Sequence, residues 1–459
     1  MTIREYLLSL KNKTVAVLGI GVSNTPLISL LCKNGVKTVA CDKKSRSALG
    51  ETAAKLEAMG AELHLGERYL DDLSADVIFR TPGIRPDVPQ LMAAREKGSV
   101  ITSEMEVFFE VCPCTVIGVT GSDGKTTTTS IIAEMLRAAG KTVWLGGNIG
   151  HPLLCDTEKM KKDDIVVVEL SSFQLQDMKR SPHIAVVTNL APNHLDWHTG
   201  MEEYVAAKKN IFLHQGRDDI LILNADNDAS APLFAQARGE VRYFSRKKEI
   251  ENGAFLNGGT VFAAVDGRNL PVVEENHIKL PGQHNVENYM AALCALRDLV
   301  PPHIIDEVAR TFSGVEHRME PVREVRGVRW YNDSIASSPT RTIAGLRAFE
   351  DKVILIAGGY DKQISFTPLA PEIIEHVKLL ILCGATADAI EKAVRDCPDY
   401  HGTPEIVRCE SLPSCVETAN ARAQRGDIVT LSPACAAFDQ FANFMERGRV
   451  FKELVNALE

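Results

Sequence analysis

The run TVIGVTGSDGKTTTTS at residues 115–130 holds the residue types best suited to chemistry. Gly121 and Gly124 allow tight turns and close approach, so that backbone N–H groups can face phosphate oxygens. Lys125 adds a compact positive charge and Thr126 a hydroxyl suited to Mg²⁺, and a helix starting at Thr126 would point its positive dipole end the same way. The usual P-loop has glycine six residues before its lysine, whereas Val119 stands there in this chain, so the pattern is the variant GxxGxxGKT. It predicts a nucleoside triphosphate ligand; the bland alternative is a glycine turn with a chance lysine between a strand and the helix-like IIAEMLRAAG.

Three further residues invite a chemical reading, each with an ordinary alternative. Glu169 closes the apolar run IVVV, where P-loop folds place an acid for Mg²⁺, although an acid there can equally meet the next helix's N-terminus. His194 lies in TNLAPNHLDWH just past another apolar strand, and a loop histidine is more often a surface residue than a ligand. Lys208, in YVAAKKNI, reads as a solvated charge at an exposed helix start. Near the N-terminus, Thr14 to Gly21 and Asp42 resemble a dinucleotide-binding βαβ unit, but Asn24 stands where the third glycine would be, so this partial motif reads equally as a plain βα turn.

These residues need an α/β scaffold, and the chain supplies one. Strand-like runs such as TVAVLGI, KTVACD, DVIFRTP, IVVVEL, IAVVTNL, ILILNAD, VILIAGG and DIVTLSP alternate with helical patterns from end to end, which predicts mainly parallel sheets. A chain of 459 residues has room for about three domains. Apolar content of 45% with net charge −9 describes an acidic globular protein without a basic face for nucleic acid. The N-terminal MTIREYLLSLKNK lacks a signal-peptide core and no run approaches the ~20 apolar residues of a membrane span, so a cytoplasmic protein is expected. The eleven cysteines are scattered, with Cys32, Cys294 and Cys383 at apolar positions, and Cys112-Pro-Cys114 has the wrong spacing for a zinc clip. Neither a structural metal nor a disulfide is expected.

Taken in order, GVTGSDGKTTT, GGNIG (146–150), ELSSFQL (169–175), NHLD (193–196), Tyr204 with Ala207-Lys208, GQHNVEN (282–288), EHR (316–318), YNDSIASSP (331–339) and SPACAAFDQF (432–441) resemble the Mur ligase family over nearly the whole chain. ELSSFQL and SPACAAFDQF look most like its D-glutamate-adding branch. The resemblance implies three α/β domains: a Rossmann-like domain at 1–110 for the UDP-linked substrate, a central P-loop ATPase domain at 111–314, and a Rossmann-like domain at 315–459 for the amino acid. It implies that ATP phosphorylates the terminal carboxylate of UDP-N-acetylmuramoyl-L-alanine and that the amine of D-glutamate displaces phosphate from the acyl phosphate; a monomer is expected.

By that resemblance Thr120, Gly121, Ser122, Asp123, Gly124, Lys125 and Thr126 cradle the phosphates, and Asn285, Arg318 and Asp333 hold adenine, phosphate and ribose. Two Mg²⁺ sites are implied, with Thr126, Glu169, His194 and Lys208 as ligands, Lys208 after conversion by CO₂ into a carbamate, a hard oxygen donor. Val22, Ser23, Asp42, Lys43, Thr81 and Gly83 match positions that contact the uridine end, and Asn148 one that meets the muramoyl part. At the amino-acid site Ser337, Lys362 and Phe444 match, whereas Ile335 replaces a common lysine and Ala437 a common serine; losing a cation and a hydroxyl bears directly on an anionic substrate. Three rival readings are a folylpolyglutamate synthase, which lacks a comparable first block, a switch GTPase, for which no NKxD motif follows the P-loop, and a dinucleotide-dependent oxidoreductase, which leaves Lys125 unexplained.

Overall fold

The computed structural model describes residues 1–459 except Val22, Leu195, Asp196, Pro281, Lys362 and Gln363. The chain divides into two compact units, Met1–Phe312 and Ser313–Glu459. The first contains two sheets. One has five parallel strands in the order Glu62–Leu65, Lys37–Asp42, Thr14–Leu18, Val77–Phe79, Val100–Thr102. Its order reverses between Thr14–Leu18 and Val77–Phe79, which leaves a crevice beyond their carboxyl ends.

The second sheet has nine strands, ordered Arg268–Glu274, Thr260–Val265, Gly253–Asn257, Glu240–Ser245, Ile220–Asn224, Ile184–Val187, Thr115–Thr120, Ile165–Glu169, Val143–Gly147. All are parallel except the first two, which form an antiparallel extension. The continuous apolar runs are explained by burial on both faces. Val116, Val166 and Val168 pack on one side and Ile117, Val119, Ile165 and Val167 on the other. The former side merges with Val15, Val17 and Phe79 of the first sheet and with Phe108 in a single apolar cluster. That shared core makes one unit of two sheets.

In the second unit a six-stranded sheet runs Glu320–Val325, Val328–Asn332, Ile428–Leu431, Val353–Ala357, Val377–Leu382, Glu405–Arg408, with only the first pair antiparallel. Leu355 and Ile356 face separate apolar clusters on its two sides.

The two sheets of the first unit are also joined by a carboxyl group. Ser103 caps the helix Glu104–Val111 by accepting from the Glu106 N–H at 3.1 Å, and Glu104 accepts from the backbone N–H of Leu154 at 3.1 Å. Burial pushes the Glu104 carboxyl up to about 7 from an ordinary 4.5. The folded chain therefore holds one more proton than the unfolded chain between those values, and this group's contribution to stability falls as pH rises through that window. Glu104→Gln, which keeps the acceptor oxygen, is expected to raise unfolding stability by about 1–3 kcal/mol at pH 8 and by nothing at pH 4, measured by urea denaturation.

Candidate active site

The glycine-rich loop forms where the central strand Thr115–Thr120 enters the helix Lys125–Ala138. Gly121 (φ 151°) and Gly124 (φ 74°) take up the turn, and a Cβ on Gly121 would overlap the Thr188 hydroxyl, while one on Gly124 would strike Asn288. The loop is stitched to the neighbouring strand end. The Ser122 N–H donates to the Asn189 carbonyl at 2.9 Å, and Thr188 Oγ1 donates to the Asp123 carbonyl at 2.6 Å. Lys125 Nζ donates to the carbonyls of Gly121 and Ser122 at 2.9 and 2.8 Å. Gly118, by contrast, lies within the strand, where a side chain would meet Pro182, and so belongs to packing.

Parallel pairing of Val119 with Glu169 brings the acid alongside the loop. Glu169 is buried; its carboxylate accepts from Thr126 Oγ1 and from Asn148 Nδ2, each at 2.7 Å. The Asn148 N–H also donates to the Glu169 carbonyl at 2.8 Å. Thr126, Glu169 and Asn148 thus form one polar cluster of hydroxyl, carboxylate and amide.

Lys208 overturns its sequence reading. It lies in the last turn of the helix Met201–Lys209, not at an exposed start, and is only 3% exposed. Its Nζ donates to the Gly121 carbonyl at 2.7 Å and to Thr120 Oγ1 at 3.2 Å, and sits 4.8 Å from the centre of the Tyr204 ring. Thr120 Oγ1 donates onward to the Leu170 carbonyl at 2.7 Å. Burial, reinforced by the charge of Lys125 and opposed by Glu169 and Asp123, holds the Lys208 ammonium well below the usual lysine range.

His194 is exposed with φ 54°, its ring 5.0 Å from that of Phe173. Among the described residues no three His, Cys, Asp or Glu side chains converge on one point, so His194 does not complete such a set with Glu169. Asn285 joins the loop indirectly: Asn288 Nδ2 donates to Asn285 Oδ1 at 3.0 Å, and Thr128 Oγ1 donates to Asn288 Oδ1 at 3.1 Å. This ties the helix Gln283–Leu296 to the P-loop helix.

At the switch point of the first sheet, Asp42 is buried and its carboxylate accepts from the backbone N–H groups of Ile20 (2.6 Å) and Lys44 (2.8 Å), shaping the turn that follows the first strand. Asn24 explains its own presence in place of glycine. Its side-chain amide donates to the carbonyls of Leu18 and Gly19 at 2.9 and 3.1 Å. Ser23 and Lys43 are exposed, Lys43 lying 3.6 Å from Glu67; Thr81 is half-buried and Gly83 exposed in the turn beyond Val77–Phe79. Val22 lies outside the described residues.

In the second unit Asp333 is buried at the end of a strand, accepts from Ser432 Oγ (2.8 Å) and the Met319 N–H (3.2 Å), and has its carboxyl pushed up to about 6 by burial. Arg318 is exposed nearby and its charge acts against that shift. Ser337 is half-buried in the turn after Asp333, and Ala437 is buried. The Phe444 carbonyl accepts from Ser334 Oγ at 2.8 Å, and its ring lies edge-on to His317 at 6.0 Å. Lys362 lies outside the described residues.

Two family models match the chain: the Mur ligase middle domain over residues 119–296 and the Mur ligase glutamate ligase domain over residues 317–435. The chain belongs to the Mur ligase family. This Mur ligase is 52% identical to the UDP-N-acetylmuramoylalanine--D-glutamate ligase of Acetivibrio thermocellus, covering 100% of this chain and 99% of that one, and equally identical to the enzyme of that name from Clostridium novyi over the same shares. In fold it is similar to UDP-N-acetylmuramate-alanine ligase MurC of Thermotoga maritima (TM-score 0.56, 19% identity, 97% of this chain and 100% of that one). A second structural relative is the MurF ligase of Thermotoga maritima solved with ADP (TM-score 0.52, 17% identity, 91% and 95%).

In each unit of this Mur ligase, buried polar residues beside the candidate positions escaped the sequence reading. His198 is 2% exposed, its Nε2 is 2.9 Å from Ser172 Oγ, and burial lowers its basicity; its position in NHLDWH was a visible signal. Asn288, three residues after Asn285, was legible as the next turn of the same helix face. Arg447 had no sequence signal. Buried at 4% exposure, it donates to the Ser334 carbonyl (2.9 Å), Ser334 Oγ (3.0 Å), and the carbonyls of Cys435 and Ala436 (3.1 Å each), drawing together the NDS and SPACAA segments.

The depressed basicity of Lys208 has a testable sign. The unfolded chain binds this proton more tightly, so the ammonium's burial opposes folding below its folded-state value, and the opposition disappears as pH rises to the ordinary 10.5. In CO₂-free, Mg²⁺-free buffer, Lys208→Met is expected to show a Tm at pH 7 no lower than the parent's, with any advantage shrinking by pH 10; differential scanning calorimetry at the two pH values checks it.

Proposed function

We propose that this chain is an ATP-dependent ligase that joins D-glutamate to UDP-N-acetylmuramoyl-L-alanine in peptidoglycan precursor synthesis. The observation that carries the reading is the meeting of the Gly121–Thr126 turn, the Thr126–Glu169 hydrogen bond and the buried Lys208 in a chain 52% identical, end to end, to ligases of that name. In this reading residues 1–110 bind the UDP-linked substrate, 111–314 bind ATP and 315–459 bind the amino acid. A cytoplasmic monomer is part of the proposal; no helix among the described residues is long and apolar enough to cross a membrane.

A carboxylate is a poor electrophile at neutral pH, and phosphorylation by ATP supplies its leaving group. The amine of D-glutamate then attacks the acyl carbon, the tetrahedral adduct expels phosphate, and the amine nitrogen loses its proton as the amide forms. The chain's contribution is orientation and charge neutralisation. Backbone N–H groups of the 120–126 loop and Lys125 hold the phosphates, while Asn285, Arg318 and Asp333 hold the rest of the nucleotide. Ser23, Asp42, Lys43, Thr81 and Gly83, with Val22, hold the uridine end, Asn148 the muramoyl part, and Ser337, Ala437 and Phe444, with Lys362, the amino acid.

The donor set suits Mg²⁺: Thr126 and Glu169 present hard oxygens within 2.7 Å of each other. Lys208 suits carbamate formation, because burial favours the neutral amine that CO₂ requires as nucleophile; the nitrogen gains a carboxylate and releases a proton. Thr126 and Glu169 would hold one ion, His194 and the Lys208 carbamate a second, and such ions supply electrostatic stabilisation to the transferring phosphoryl group.

Phosphate release from ATP is expected with UDP-N-acetylmuramoyl-L-alanine plus D-glutamate and not with L-glutamate or with a folate plus glutamate. Release driven by the folate would overturn the substrate assignment. Separately, Lys208→Ala is expected to lose turnover by orders of magnitude, with partial recovery in added acetate or formate; near-normal activity without rescue would remove the carbamate from the reading.

A further inference from the structure

Two arginines leave the turn after Val77–Phe79 for the second sheet of the first unit. Arg80 is buried, donates to the carbonyls of Thr81 (3.3 Å) and Ile84 (2.6 Å), and lies 3.6 Å from the Asp177 carboxylate. It wraps the turn and fastens it across the shared core. Arg85 reaches farther, to the start of the helix that carries Lys208. Its Nη2 donates to Glu203 at 3.0 Å, its Nη1 donates to the Trp197 carbonyl, and its guanidinium carbon stands 5.0 Å from the Trp197 ring centre. Asp87, in Arg85's own turn, holds the other side of the fork at 2.8 and 2.9 Å.

Glu203 is well placed to pass on this grip. It sits in the first turn of the helix Met201–Lys209 and also accepts from Thr199 Oγ1 and Gln176 Nε2, each at 2.8 Å, and from the Thr199 N–H. The Thr199 N–H first, then the Thr199 hydroxyl and Arg85, hold its carboxyl down to about 2 against the opposing effect of burial, so it remains an anion at any working pH. A short helix moves as a rigid rod, and fixing Glu203 fixes the helix that carries Lys208. The intervening side chains are packed together: the Trp197 and His198 rings lie 4.8 Å apart, those of His198 and Tyr204 5.3 Å apart, and the Tyr204 hydroxyl meets Ser122 Oγ of the phosphate loop at 2.8 Å.

We propose that Arg85 is a positioning residue that joins the Thr81–Gly83 turn to the helix carrying Lys208, so that a ligand at the edge of the first sheet orders the phosphate loop and the lysine. This rests on the reading of that turn as the uridine contact. Arg85 touches neither reacting group; it acts through Glu203 and Trp197. Where such a contact couples two ligand-bearing elements, linkage requires each binding event to tighten the other by the same factor.

The test is calorimetric titration of the full chain with UDP-N-acetylmuramoyl-L-alanine and with a non-hydrolysable ATP analogue plus Mg²⁺, each alone and in the presence of the other. In the parent each ligand is expected to tighten the other by about five-fold or more. Arg85→Gln is expected to reduce that factor below about two-fold while binding the UDP compound alone within about two-fold of the parent. Arg85→Lys should fall between, because an ammonium keeps the charge opposite Glu203 but lacks the fork that spans Asp87, Glu203 and Trp197. An undiminished factor in both variants, even with a lowered Tm, overturns the role, since a contact that merely holds the sheets together would produce that result. So does the absence of any factor in the parent, or a large loss of UDP-compound affinity in both variants, which would make Arg85 a ligand contact. Failure of the parent to bind the UDP compound at all overturns instead the uridine reading of the turn.

Discussion

Everything at the candidate site depends on the register of three parallel strands. Val119 pairs with Glu169 and Thr120 with Val187, so the carboxyl ends of neighbouring strands stop at one edge of the sheet. Parallel pairing brings ends of like polarity together, and the residues that follow them must share the space beyond. A glycine-rich loop, an acid and a threonine-asparagine turn therefore meet without any of them being near in sequence. A shift of one residue in the Val119–Glu169 pairing would turn Glu169 to the opposite face and break its contact with Thr126.

Electrostatics then works within that frame. Lys208 is buried, donates to the uncharged oxygens of Thr120 and Gly121, and feels the charge of Lys125. Desolvation and Lys125 lower its basicity by more than Glu169 and Asp123 raise it. Lys209, next on the same helix, is only half-buried, whereas Lys208 is 3% exposed. The burial that makes the residue look unsuited to a positive charge is what suits it to the proposed modification.

The second unit manages a buried charge differently. Arg447 is surrounded by the carbonyls of Ser334, Cys435 and Ala436 and by the Ser334 hydroxyl, and burial lowers its basicity to about 10, which leaves it charged near neutral pH. A guanidinium offers five donors in a planar fork, so one side chain can hold two loops in fixed relation. Those loops carry Asp333, Ser337 and Ala437, and their arrangement depends on a residue that no motif pointed to.

The local chemistry was legible in the sequence because it depends on short spacing. Gly121, Gly124, Lys125 and Thr126 define the phosphate turn within six residues, continuous apolar runs announce strands buried on two faces, and the ordered motifs identify the family. Tertiary structure alone decided which distant groups meet and how wet each is. Lys208 has the same local sequence character as Lys209 and becomes buried because its side chain lies over the Tyr204 ring of its own helix and reaches the Gly121 carbonyl. The grip of Arg85 on Glu203, separated by 118 positions, the Thr126–Glu169 bond across 43, and the Ser334–Arg447 contact across 113 arise from packing that spacing cannot encode. Burial and long-range approach are properties of the whole fold, and they set the basicity and orientation on which the chemistry depends.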